Sequence, residues 1–148
     1  KAARRMRYYK SLRDLAVFRR YAAKFLWELE LFGGHDLADG SPYADLMRHH
    51  TGFYHQPESH LFDLTPEFYC CEYLRGMLAA RALEQTLTAT EGPAWPLAAA
   101  TGDQLRRWWA QGHAADLDAF FASQQIPIPA ADTLVTQWEQ VLSPGPPP

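Results

Sequence analysis

Cysteine is nearly missing from this chain. It has two, Cys70 and Cys71, and they are neighbours. Adjacent side chains diverge on a helix, so the pair does not bridge itself. No C-x-x-C is present, and two neighbouring thiols make no zinc site. Free thiols at helical spacing point to a reducing, cytoplasmic setting. Long apolar runs are missing as well. Nothing approaches the ~18 apolar residues that cross a bilayer, so no membrane partner is expected. The motifs that open most catalytic readings are also lacking: H-E-x-x-H, the G-x-S-x-G elbow and a glycine-rich phosphate loop. Gly33-Gly34 follows an apolar run rather than leading into one. No stretch alternates as a strand does, which leaves an all-α class.

Acidic residues are scarce at the start. Residues 1–24 carry nine Lys or Arg against Asp14, a net +8; the other 124 residues carry five basic and sixteen acidic groups, a net −11. The basic segment is read as docking on an acidic body, its own or that of a missing domain. A nucleic-acid or anionic-membrane surface is the competing reading. The same helix turns strongly apolar further on, so no nucleic-acid partner is expected. The chain opens on Lys1 and is read as a single helical domain, residues 1–142, cut from a longer protein. A disordered proline-rich tail, residues 143–148, completes it.

About six helices are expected. The first runs from about Ala3 to Phe32 and stops at Gly33-Gly34. Its stripe is Leu12, Leu15, Ala16, Ala22, Leu26 and Leu29, and its second half is apolar nearly all round, as in an enclosed helix. Ser41-Pro42 reads as a cap and first position for a short helix from Tyr43 to about His50. Thr65-Pro66-Glu67 opens a central helix reaching about Thr88, with Phe68, Cys71, Leu74, Leu78 and Ala82 as its core stripe. The long first helix is expected to pack on this Thr65–Thr88 helix and on a C-terminal helical cluster. That cluster begins at the capping box Thr101-Gly-Asp-Gln104, continues from Ala114 to about Ser123, and ends with Ala130 to Leu142. Trp95, Trp108 and Trp109 are its packing anchor.

Six histidines invite a metal, and His49, His50, His55 and His60 fall within twelve residues. Helical zinc ligands need i, i+4 spacing. Here the gaps are one, five and five, across Gly52 and Pro57, and His35 and His113 lie apart. Surface or hydrogen-bonded histidines are the better reading, and no metal site is assigned. Tyr69 and Tyr73 stand one helical turn apart, so both phenols point the same way. Gly76 and Ala80 continue that face with almost no side chain, leaving a groove. The tyrosines are either core or interface aromatics, or donors to a peptide carbonyl or an oxyanion. Glu72 and Arg75 can pair at i, i+3. Arg19, on an apolar face, is expected to find a buried partner such as Glu28 or Glu72.

Two segments carry a family resemblance: Phe18-Arg-Arg-Tyr-Ala-Ala-Lys-Phe-Leu-Trp-Glu-Leu-Glu-Leu31 and Glu67-Phe-Tyr-Cys-Cys-Glu-Tyr-Leu-Arg-Gly-Met-Leu-Ala-Ala80, followed by Trp108-Trp109-Ala-Gln-Gly112. They resemble the C-terminal helical part of zinc metallopeptidases of the thimet oligopeptidase and oligoendopeptidase F type, and more closely their bacterial relatives. The similarity spans roughly residues 10 to 142. It implies metal-assisted peptide hydrolysis in the intact protein, with zinc held by H-E-x-x-H and a later glutamate, none of which this chain contains. It implies that Tyr69 and Tyr73 hold the substrate or steady the oxyanion, with His60, Glu72 and Arg75 as substrate-binding residues. Two positions depart: the family's next tyrosine falls on Gly76, and its expected histidine falls on Leu64, leaving His60 as the nearby substitute.

The resemblance thus implies the substrate-binding portion of a zinc oligopeptidase. Its partners are a peptide and the missing N-terminal portion; the chain alone is inactive and holds no cofactor of its own. The alternative is a non-enzymatic helical interaction module, using the basic start and the groove at Gly76 and Ala80. A haem- or metal-sensing bundle built on His49, His50 and His55 is a weaker rival.

Overall fold

A computed structural model describes residues 2–34, 36 and 38–145. The described chain is all-helical: α1 (Ala2–Phe32), α2 (Ser41–Thr51), α3 (Tyr69–Glu91), α4 (Ala99–Trp109), α5 (Leu117–Ser123) and α6 (Ala131–Leu142), with 3-10 turns at Pro57–Ser59, Pro66–Phe68 and Trp95–Leu97. It has no strand among the described residues. Contacts divide it into two compact units. The first gathers the described residues of Lys1–Met77 and Val135–Pro148; the second is Leu78–Leu134.

In the first unit α1 packs on α2. Its 31 residues contain no glycine or proline to interrupt the helix. Gly33 then donates its N–H to Leu29, and Gly34 turns the chain at φ 109°. The core consists of Ala23, Trp27, Leu31, Tyr43 and Met47. The stripe expected from apolar spacing is therefore displaced. Leu12, Leu26 and Leu29 are exposed, and α1 buries Ala23, Lys24, Trp27, Glu28 and Leu31. The second half of α1 is not enclosed either, since Phe32 is also exposed. Two charged residues sit on the inward face because partners distant in sequence satisfy them. That information is absent from local hydrophobicity.

Helix α2 begins one position earlier than expected. Gly40 is its cap residue, Ser41 lies inside, and Asp39 Oδ1 accepts the Ser41 N–H at 2.8 Å. Gly40 is required by proximity: a Cβ there would stand 2.0 Å from the Pro57 carbonyl oxygen and 2.8 Å from His60 Nδ1. Helix α3 starts later than expected, at Tyr69. Glu67 and Phe68 hold φ of 57° and 55°, an unfavourable left-handed conformation that breaks the helix after Pro66. Tertiary contacts hold this kink. The Phe68 ring meets Phe32 and Phe25 at 5.2 and 6.0 Å, and Thr65 bonds across to α1 rather than capping α3. Of the expected core stripe Ala82 is buried, while Cys71 and Leu74 are half-buried and Cys70 is buried instead.

The second unit has its own core of Ala79, Ala82, Leu87, Trp108, Phe121 and Ile126, with Trp95 packed against it. Trp108 donates its indole N–H to Gln124 at 2.9 Å, while Trp109 is exposed, so the expected tryptophan anchor is divided. Helix α4 begins at Ala99, two residues before the expected capping box; Thr101 lies inside and Gln104 bonds to Arg107. Asp116 caps α5 by accepting the Ala119 N–H. Of the expected tail, Ser143 and Gly145 still bond back to Glu139 and Leu142, and residues 146–148 lie outside the described residues, as does His35.

Candidate functional site

The start of α3 brings the two tyrosines together. Their rings are 5.3 Å apart and nearly perpendicular, and Tyr73 also stacks on Tyr21 of α1 at 4.7 Å and 16°. Tyr69 is 55% exposed and Tyr73 45%, so neither ring is enclosed. Arg20 lies over the other ring of the stack, 6.0 Å from the Tyr21 centroid. Stacking on Tyr21 restricts the Tyr73 ring to one orientation without covering it. Arg75 donates to Glu72 at 2.9 Å on the neighbouring face, as the i, i+3 spacing implies. Gly76 faces open space. His60 is held elsewhere in the first unit: its Nδ1 lies 2.9 Å from the Pro57 carbonyl oxygen, its own carbonyl accepts the Trp27 indole N–H, and the two rings meet edge-on at 6.2 Å.

Beneath this surface runs a polar network that local sequence patterns miss. Arg20, Lys24 and Glu28 share one face of α1 at i, i+4 and i+8. Glu28 is fully buried. Its Oε1 accepts the Thr65 N–H and hydroxyl, each at 3.1 Å, and its Oε2 accepts the Cys70 thiol at 2.9 Å. Asp63 takes Arg20 at 2.8 Å, stands 3.6 Å from Lys24, and accepts the Tyr43 hydroxyl at 3.0 Å. Tyr43 Oη in turn lies 3.5 Å from His55 Nδ1. Arg19, expected to find a buried partner such as Glu28 or Glu72, is instead exposed. The i, i+4, i+8 register was the available signal, but it names no partner. The network fixes the Thr65 end of the kink, and so fixes where Tyr69 emerges. The other expected ion pairs of the basic start are local: Lys10 and Arg13 both reach Asp14, and Arg4, Arg5 and Arg7 are exposed.

The network sets proton affinities. Burial, reinforced by the bond to Glu28 and its charge, pushes the Cys70 thiol up from 9.0 to about 12, with Lys24 pulling the other way. Burial and the Asp63 carboxylate likewise raise Tyr43, against Arg20. For Cys70 the folded state retains its proton where the unfolded state has lost it. Its contribution to stability is therefore complete below pH 9 and declines as pH rises toward 12. The thiolate is the reactive form. Iodoacetamide at pH 8 is accordingly expected to spare Cys70 in the folded chain and to label it once urea is added. Mass spectrometry showing Cys70 labelled as fast as a free thiol would contradict this.

No family model, curated protein or solved structure matches this chain. Among the described residues no three His, Cys, Asp or Glu side chains form a group able to hold a metal. No helix among them is long and apolar enough to cross a membrane. The geometry of the tyrosine face thus carries the functional argument.

Proposed function

We propose that this chain is the substrate-holding part of a zinc-dependent oligopeptidase, with Tyr69 and Tyr73 as donors to the peptide. One observation carries the reading: two half-exposed phenols on one helix face, one of them held by a stack on Tyr21. A restrained donor loses little freedom when it bonds a peptide carbonyl, and it is aimed before charge develops on that oxygen. In this reading the Tyr73 hydroxyl donates to the carbonyl oxygen, with Tyr69 beside it. Glu72 and Arg75 flank the same helical turn and contact the extended chain. His60 is held by Pro57 and Trp27, which supports a positioning role for it rather than a place on the tyrosine face. The contribution of these residues in this reading is to bind and orient peptide.

The test uses the protein expressed from its whole reading frame. Tyr73→Phe removes one hydroxyl and preserves the stack. It is expected to lower kcat by about 10²-fold with KM within a few-fold, the pattern of a donor used mainly in the transition state. An unchanged kcat removes Tyr73 from the mechanism, and a product without peptidase activity ends the reading. A second reading, a helical interaction module, is favoured by Leu26, Leu29 and Phe32, which leave one end of α1 apolar and exposed. An inactive product leaves that reading standing.

A further inference from the structure

The second unit contains a cleft of about 220 Å³ between the last turns of α3 and the face of α4 that carries Thr101, Gln104 and Trp108. Thr90, Glu91, Thr101, Gln104, Arg107 and Trp108 are among the residues that line it. Three observations set it apart from an ordinary surface dent. Thr101 is 3% exposed, and its hydroxyl is buried without a hydrogen-bond partner. Buried hydroxyls almost always have a partner, so an orphan marks a place where one is missing. Ala98, the cap residue of α4, offers no side-chain acceptor, so the first amides of α4 beside Ala100 and Thr101 have no cap. Finally, the cleft carries one full charge of each sign. Arg107 bonds to Gln104, and Glu91 belongs to no ion pair among the described residues.

We propose that this cleft is a binding site for a small zwitterion, a free α-amino acid. The volume is below the ~300 Å³ at which drug-sized pockets begin, which suits a small ligand. The ligand carboxylate is taken by Arg107 in the last turn of α4, and the Thr101 hydroxyl turns out of its buried position to donate to it. The ammonium goes to Glu91, with the Thr90 oxygen as a second acceptor. The short aliphatic side chain lies against Trp108. A simple anion is disfavoured by Glu91 and a simple cation by Arg107, so both ligand charges are needed. The inference uses only second-unit residues and does not rest on the peptidase reading.

Titration of the chain with alanine, acetate and methylamine tests it, read at the Trp108 indole N–H by NMR. Alanine is expected to shift that resonance saturably, with a dissociation constant on the order of 1 mM. Acetate and methylamine are each expected to bind at least ~10-fold more weakly, because each satisfies one charge and leaves the other facing its like. Thr101→Val is expected to weaken alanine by about 10-fold, the value of one hydrogen bond. The unfolding temperature should not fall, because this hydroxyl has no protein partner to lose. Arg107→Gln and Glu91→Gln should each weaken it similarly. The proposal is overturned by the absence of a saturable shift, by acetate binding as tightly as alanine, or by full affinity in Thr101→Val.

Discussion

Glu28→Ala is expected to destabilise the first unit by about 3–5 kcal/mol, the range for removing one member of a buried, hydrogen-bonded charged cluster. The carboxylate accepts three bonds, from the Thr65 amide, the Thr65 hydroxyl and the Cys70 thiol. Truncation strands the donors and opens a cavity. The Thr65 hydroxyl can turn toward other acceptors, but its amide is fixed by the kink and is left without a partner, at about 1–3 kcal/mol. Swapping a whole buried polar cluster for apolar groups is often harmless, but here only one member leaves. Glu28→Met should therefore resemble Glu28→Ala despite its better packing. Glu28→Gln keeps an acceptor for Thr65 and is expected to cost about 1–2 kcal/mol. Urea unfolding followed by amide exchange on α1 and α2 measures this. A loss under about 1 kcal/mol for Glu28→Ala would show that the network is incidental. The same change is expected to release the kink at Glu67–Phe68, visible as faster exchange at Tyr69 and Cys70.

Trp27→Ala is the second large effect, expected at about 3–5 kcal/mol. The ring is completely buried, meets Tyr43 edge-on at 5.6 Å, and donates its N–H to the His60 carbonyl at 3.2 Å. It therefore joins three segments: α1, α2 and the loop before α3. The vacated space cannot close easily, because Gly40 already sits against Pro57 and His60. Trp27→Phe retains most of the apolar contact and loses the hydrogen bond, so about 1–2 kcal/mol is expected. The denaturation midpoint should fall with the slope unchanged. A Trp27→Ala midpoint within error of the wild type would show that this core contributes little to holding the three segments together.

Some of this was readable along the chain. An uninterrupted run ending in Gly33-Gly34 gave α1 to within a residue at each end. The i, i+4 spacing of Tyr69 and Tyr73 put both phenols on one surface, and the Glu72–Arg75 pair followed from i, i+3. Other readings failed for identifiable reasons. Thr65-Pro66-Glu67 has the composition of a helix start, yet Thr65 is used by Glu28 and the helix waits until Tyr69. Thr101-Gly-Asp-Gln104 has the composition of a capping box, yet α4 already begins at Ala99. In both cases a local motif lost to a competing contact or to an earlier nucleation point. The core stripe of α1 was misplaced because apolar spacing turned Leu12, Leu26 and Leu29 inward, whereas the fold buries Ala23, Lys24, Trp27, Glu28 and Leu31.

By itself the sequence determined the helical class, the number of helices, and the shared surface of Tyr69 and Tyr73, because each depends on interactions within a few residues. Tertiary structure alone decided which face of α1 turns inward, the kink at Glu67 and Phe68, the Tyr21 stack on Tyr73, and the orphaned hydroxyl of Thr101. Those depend on groups tens of residues apart, where burial changes the energy of a charge or a hydroxyl by more than any local preference can supply.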